Sequence, residues 1–136
     1  LRSMLFWEMR KQQYAAIDGL RSVADIIFAD RTMGTAFAYD VHGNGVNPEL
    51  LRLFTQGLRP PDITFLLEAP IAVARQRKDS RTLRDPMFAG RVICGYRKCA
   101  DRCEWLRVDA TQAPEEVASY CLGIIREALV KKARAS

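Results

Sequence analysis

The chain has 136 residues, 49% of them hydrophobic, with 21 Lys and Arg against 16 Asp and Glu, a formal charge of +5 at pH 7. That length predicts one globular domain with a real core. The charge excess is local, concentrated in residues 75–84 with a smaller group at Lys131, Lys132 and Arg134. It suggests phosphate handling and does not demand nucleic acid. Cys94, Cys99, Cys103 and Cys121 form no C-x-x-C pair, and His42 stands far from them. This argues against zinc and for reduced thiols in an intracellular compartment, cytoplasmic or organellar. No run of about eighteen apolar residues indicates a membrane span, and the first residues lack a signal-peptide layout.

In chain order, residues 2–18 have helical spacing at Leu5, Met9, Ala16 and Leu20, with Gly19 as a stop. Ile26-Ile27-Phe28-Ala29 is a short apolar run without alternation and predicts a strand buried on both faces, as in a parallel sheet. Asp30-Arg31 closes it, a helix follows to about Tyr39, and residues 42–45 read as a loop. Asn47 and Pro48 supply the cap and first position of a helix through Leu50, Leu51, Leu53 and Phe54. Gly57 and the prolines at 60 and 61 end it. Residues 63–67 predict a second buried strand, Pro70 opens another helix, and a further helix runs from about Met87 to Arg102 with Val92, Tyr96 and Cys99 on a mixed face. Residues 105–108 predict a third, weaker strand. Pro114 with Glu115 and Glu116 starts a last helix carrying Val117, Tyr120, Cys121, Ile124, Ile125 and Leu129. Strands alternating with helices argue for an α/β domain with a parallel sheet and flanking helices.

Ligands in open α/β sheets sit at the carboxyl ends of the strands. Arg31 falls at that place, and its guanidinium is a permanent, planar fork of donors suited to phosphate. Thr35 and Tyr39 follow at a helical-turn spacing. A salt-bridged Asp-Arg pair that merely closes a strand fits the same residues. Phe6 at helical spacing fits a core position, Arg10 an exposed helix charge, and residues 75–84 a solvated helix face. Trp7 and Trp105 read as packing residues.

Four stretches in order resemble the thymidylate kinase family. Leu5-Phe6 with Arg10 is similar to that family's L-F-x-x-x-R. Asp30-Arg31 with Thr35, Ala38 and Tyr39 is similar to D-R-x-x-x-S-x-x-A-Y. Residues 61–68 are similar to P-D-L-T-x-x-L-D, and Val108-Asp109-Ala110-Thr111 with Glu116-Val117 to I-D-A-(S/T) followed by E-x-V. The resemblance implies a P-loop NTPase-like fold without its N-terminal strands, as one partial domain over residues 1–136 with a lid-like segment at about 75–86. It implies phosphoryl transfer from ATP, with Mg2+, to dTMP. Phe6 would stack on the base, and Arg10 would reach the base edge or phosphate. Arg31 would hold the acceptor phosphate, oriented by Asp30, or Asp30 would meet the sugar. Thr35 takes the place of the family's Ser, and Tyr39 would lie by the sugar and disfavour a 2′-hydroxyl. Arg75, Arg77, Arg81 and Arg84 would be lid arginines neutralising the transferred phosphoryl, in a reaction governed by positioning and electrostatics. Arg31 and Phe6 are expected to face one cavity. A homodimer through helix faces is also implied.

The chain departs from the family in having no G-x-x-x-x-G-K-(S/T) string. In the family that string precedes the first helix, and its strand is central to the sheet. The strands at 26 and 63 would flank the gap, whose backbone groups need partners. The expectation is a portion of a longer kinase, or a sheet completed by another chain, or a rearranged relative. Thr32 replaces the family's Tyr, and Asp40 puts an acid near a phosphate-binding site. An inactive subunit binding within an assembly, or a kinase for another nucleotide, remain as alternatives.

Overall fold

The computed structural model describes residues 2–77 and 81–135, with the side chains of Arg2, Arg81 and Thr82 outside the description. Helix α1 (Arg2–Leu20) leads to a stretch without regular structure, then α2 (Met33–Ala36) runs directly into a π-helical segment (Phe37–Gly43). Next come α3 (Pro48–Thr55), β1 (Phe65–Glu68), α4 (Ile71–Arg77), α5 (Arg81–Arg84), α6 (Pro86–Cys103), β2 (Leu106–Asp109) and α7 (Pro114–Ala135). The two strands pair in parallel, Phe65 opposite Leu106 and Glu68 opposite Asp109.

Local chemistry sets several of these boundaries. Asn47 accepts from the Glu49 N–H at 2.9 Å, capping α3 with Pro48 at the first position. Asp85 Oδ1 accepts from the N–H groups of Met87 and Phe88, both at 3.0 Å, and opens α6. Glu104, in the left-handed region at φ +53°, closes α6 and turns the chain into β2.

The core gathers Trp7, Tyr14, Met33, Ala36 and Leu51, with Phe37, Val41, Val46, Phe54 and Leu58 packed around them. Trp7 and Phe54 meet edge to face at 5.2 Å. The expected apolar face of α1 is therefore corrected: Trp7 and Tyr14, seven residues apart, are buried, while Leu5 and Met9 are exposed. Two turns of helix return to the same side, and the larger rings win that side. A second layer forms where α6 lies along the π segment. Gly95 permits it, because a Cβ there would stand 2.9 Å from the Ala38 Cα and 2.8 Å from the His42 Cβ.

Two further expectations are overturned. Residues 26–29 form no strand, and Phe28 is 74% exposed. An apolar run becomes a strand only when a neighbour supplies ladder partners, and among the described residues β1 pairs with β2 alone. His42 and Gly43 belong to the π segment rather than to a loop, which begins at Asn44. Helices α1, α3, α4, α6 and α7 and the two remaining strands fall where their patterns placed them, to within one to three residues, whereas no pattern in the sequence marks α5.

Candidate functional site

Arg31 is one of two described non-glycine residues with positive φ, at +60°. A side chain in that region costs on the order of 1–2 kcal/mol, so something must hold it. Arg10 does: its Nη1 donates to the Arg31 carbonyl at 2.8 Å and to Gln13 Oε1 at 2.8 Å. Arg10 sits one turn beyond Phe6 on α1, so the helix that carries the aromatic also pins the arginine turn. The Arg31 side chain is exposed.

Past this turn, α2 and the π segment present Thr35 and Tyr39 to α6. The Tyr96 hydroxyl donates to Thr35 Oγ1 at 3.1 Å, and the Tyr39 ring stands edge-on to Tyr96 at 6.2 Å and to Phe88 at 6.1 Å. The π register, in which the Asn44 N–H reaches back five residues to the Tyr39 carbonyl at 2.9 Å, widens the turn that carries Tyr39. Burial raises the Tyr96 pKa; the Thr35 bond opposes that, the neighbouring Tyr39 adds to it, and the positive charge of Arg31 opposes it. The hydroxyl thus stays a donor at neutral pH.

Thr35 and Tyr39 therefore meet at Tyr96, while Arg31 stands at the turn that Arg10 holds. In the sequence pattern Tyr96 is only a face residue of α6; the signal for more is the adjacent small residue, Gly95, which brings α6 onto the π segment. Phe6 stands on the exposed side of α1, 53% accessible, beside the exposed Leu5 and Met9. Asp30 is exposed. A half-open cavity of about 530 Å³ is walled by Tyr14, Thr32, Met33, Phe37, Leu58 and Trp105 among others, with neither Phe6 nor Arg31 in its wall.

Asp40 turns inward. Its Oδ2 accepts from Trp7 Nε1 at 2.7 Å and its Oδ1 from Ser3 Oγ at 3.0 Å. The carboxylate expected near a phosphate site thus joins α1 to the π segment instead. Arg91 Nε donates to the Gly43 carbonyl at 3.1 Å, closing the far end of that segment.

The arginines of the lid-like segment separate. Arg75 Nε donates to the Leu83 carbonyl at 2.8 Å, bracing α4 against α5. Arg77 reaches the loop after β2, donating to the carbonyls of Ala110, Thr111 (2.9 Å) and Gln112 (3.5 Å). Asp109 orders the same loop by accepting from the Thr111 N–H at 2.8 Å and hydroxyl at 2.7 Å, and those bonds lower its pKa. Arg84 is exposed at the end of α5, and residues 78–80 and the Arg81 side chain lie outside the description. At the end of β1, Glu68 accepts from Arg107 at 2.6 Å and Arg97 at 2.8 Å. The Arg107 hydrogen bond is the main cause of its lowered pKa, with that to Arg97 adding to it against desolvation.

Among the described residues, no cluster of three His, Cys, Asp or Glu could hold a metal ion. With no P-loop string present, these residues do not fit a site for Mg2+ and donor phosphates. The four cysteines are free. Burial pushes the Cys99 thiol up to about 11, with Cys103 adding to the shift and Arg102 opposing it. It is therefore not a nucleophile at neutral pH. No described helix is long and apolar enough to cross a membrane.

The thymidylate kinase family model matches residues 2–120. A thymidylate kinase of a Synechococcus strain is 32% identical over 117 residues, covering 79% of this chain and 55% of the relative. Another Synechococcus thymidylate kinase is 33% identical over 120 residues, covering 82% of this chain and 54% of the relative. One from Acinetobacter baumannii is 32% identical over 108 residues, covering 71% and 54%. The chain spans about half the length of the curated relatives it matches. With nearly the whole chain matched by one family, and with all four motif stretches inside the matched residues, this chain belongs to the thymidylate kinase family.

Proposed function

We propose that this chain forms the acceptor half of a nucleoside monophosphate kinase that transfers a phosphoryl group from ATP to dTMP, giving dTDP. The observation that carries the reading is the meeting of Thr35 and Tyr39 at Tyr96, next along the chain from the Arg10-held turn at Arg31, in a chain of the thymidylate kinase family. Arg31 supplies a fixed positive charge for the acceptor phosphate, with its backbone held by Arg10. Thr35 offers a hydroxyl and Tyr39 a ring edge to the sugar. Phe6 gives an exposed aromatic face for the base. Asp30 flanks Arg31 and helps orient it. Arg75, Arg77, Arg81 and Arg84 belong to the side that meets the transferred group, with Arg77 anchoring the loop after β2. ATP and Mg2+ are the donor and metal of the reaction, and no step here is assigned to residues that hold them. The partner is a second copy, through helix faces, which light scattering of the intact chain would test.

Titration of the chain with dTMP tests the reading. Binding should be lost or weakened at least tenfold in Arg31→Ala and weakened in Phe6→Ala, with circular dichroism unchanged. Unaltered affinity in Arg31→Ala would sink the acceptor assignment.

A further inference from the structure

We propose that Tyr96 is a positioning residue for the acceptor nucleotide, aiming the Thr35 hydroxyl and the Tyr39 ring at a bound nucleoside monophosphate. The inference rests on the acceptor-site reading above and adds a residue from α6, far from the motifs that suggested that site.

The hydroxyl of Thr35 carries one proton and two acceptor lone pairs. Left alone it is a rotor. The Tyr96 hydroxyl donates to Thr35 Oγ1 at 3.1 Å and occupies one lone pair. The Thr35 proton must then point elsewhere, so Thr35 becomes an oriented donor for a phosphate or sugar oxygen. Tyr96 can do this only while protonated, and burial keeps it so. The Tyr96 ring acts as well. Standing edge-on at 6.2 Å, it limits how far the Tyr39 ring can swing. Tyr96 is itself held, since Gly95 brings α6 against the Ala38 backbone and leaves it no slack. A single side chain thus couples two groups of the site through one hydrogen bond and one ring contact.

The test compares the wild-type chain with Tyr96→Phe, which keeps the ring and removes the proton. Each is titrated with dTMP and with the corresponding ribonucleoside monophosphate. One net hydrogen bond corresponds to about a two- to tenfold change, so dTMP affinity should fall by that factor in Tyr96→Phe. The preference for the deoxy form should narrow, which a loss of packing alone would not produce. In a Thr35→Val background, Tyr96→Phe should cost little more, because the bond is already gone. Unchanged affinity and an unchanged deoxy/ribo ratio in Tyr96→Phe, or a fully additive loss in the double variant, would overturn the proposal while leaving the acceptor site standing. Failure of the wild-type chain to bind either nucleotide would overturn the acceptor site, and this proposal with it. Should Tyr96→Phe not fold, wild-type protein with 13Cζ-labelled tyrosine gives the answer: the Tyr96 signal should move on dTMP addition, and a stationary signal with binding observed elsewhere overturns the role.

Discussion

On one side of the molecule, α1, α3, the π segment and α6 press their apolar residues together until Trp7 and Leu51 have almost no contact with water. Elsewhere, residues 23–30, the strand pair and α7 carry side chains just as apolar and bury few of them. Val108 is buried, but Val23 and Phe28 are more than 70% exposed, and α7 has no buried residue in its 22. The difference is one of partners rather than composition. Ile26-Ile27-Phe28 is as apolar as the residues leading into β1, yet only β1 has a strand beside it. Hydrophobicity supplies a reason to be buried; a ladder partner supplies the means.

That contrast can be broken, and the largest effect should come from the packed side. Trp7→Ala removes a buried ring and leaves Asp40 without its indole donor. It should cost about 3–5 kcal/mol in urea unfolding, and a loss below 1 kcal/mol would mean that this core is not what holds the chain. Gly95→Ala forces a methyl toward the Ala38 and His42 contacts and should cost about 1–3 kcal/mol. Acid should probe the two sides differently. Burial, with Lys98 adding, holds the His42 pKa below its ordinary value. As pH falls below about 6.5 the unfolded chain takes the proton first, so stability declines until the folded histidine also protonates. Glu68 has a lowered pKa as well, so its contribution is present above the ordinary glutamate range and is lost as pH falls through the folded value. As a solvated ion pair with Arg97 and Arg107 its contribution should be small and screened by salt. Glu68→Gln should flatten the second decline and leave the first. Smallest of all, Phe28→Ser should change stability by no more than about 0.5 kcal/mol while raising solubility. A cost of several kcal/mol there would show that the open stretch is covered in solution.

The same division explains what can be read from the residues alone. Caps and punctuation are local, so Asn47-Pro48 and Gly57 mark their boundaries well. The strand expected at 26 fails because a strand is a relation between two segments, and the run itself does not reveal whether its neighbour is present. The arginine turn, Thr35 and Tyr39 are legible from their spacing. Tyr96 and the inward turn of Asp40 are not, since both depend on α6 and α1 meeting the π segment and the short helix before it, across 33 to 61 positions of chain.

The left-handed backbone at Arg31 has a consequence for variants of this protein. Glycine adopts that conformation without the steric cost that an arginine bears, so Arg31→Gly should make the turn easier to form while deleting the cation it displays. Selection for thermal resilience alone would drift toward the glycine, whereas selection for anion capture would keep the costly residue. Which of the two occupies this position in a collection of natural variants therefore records what the turn is kept for.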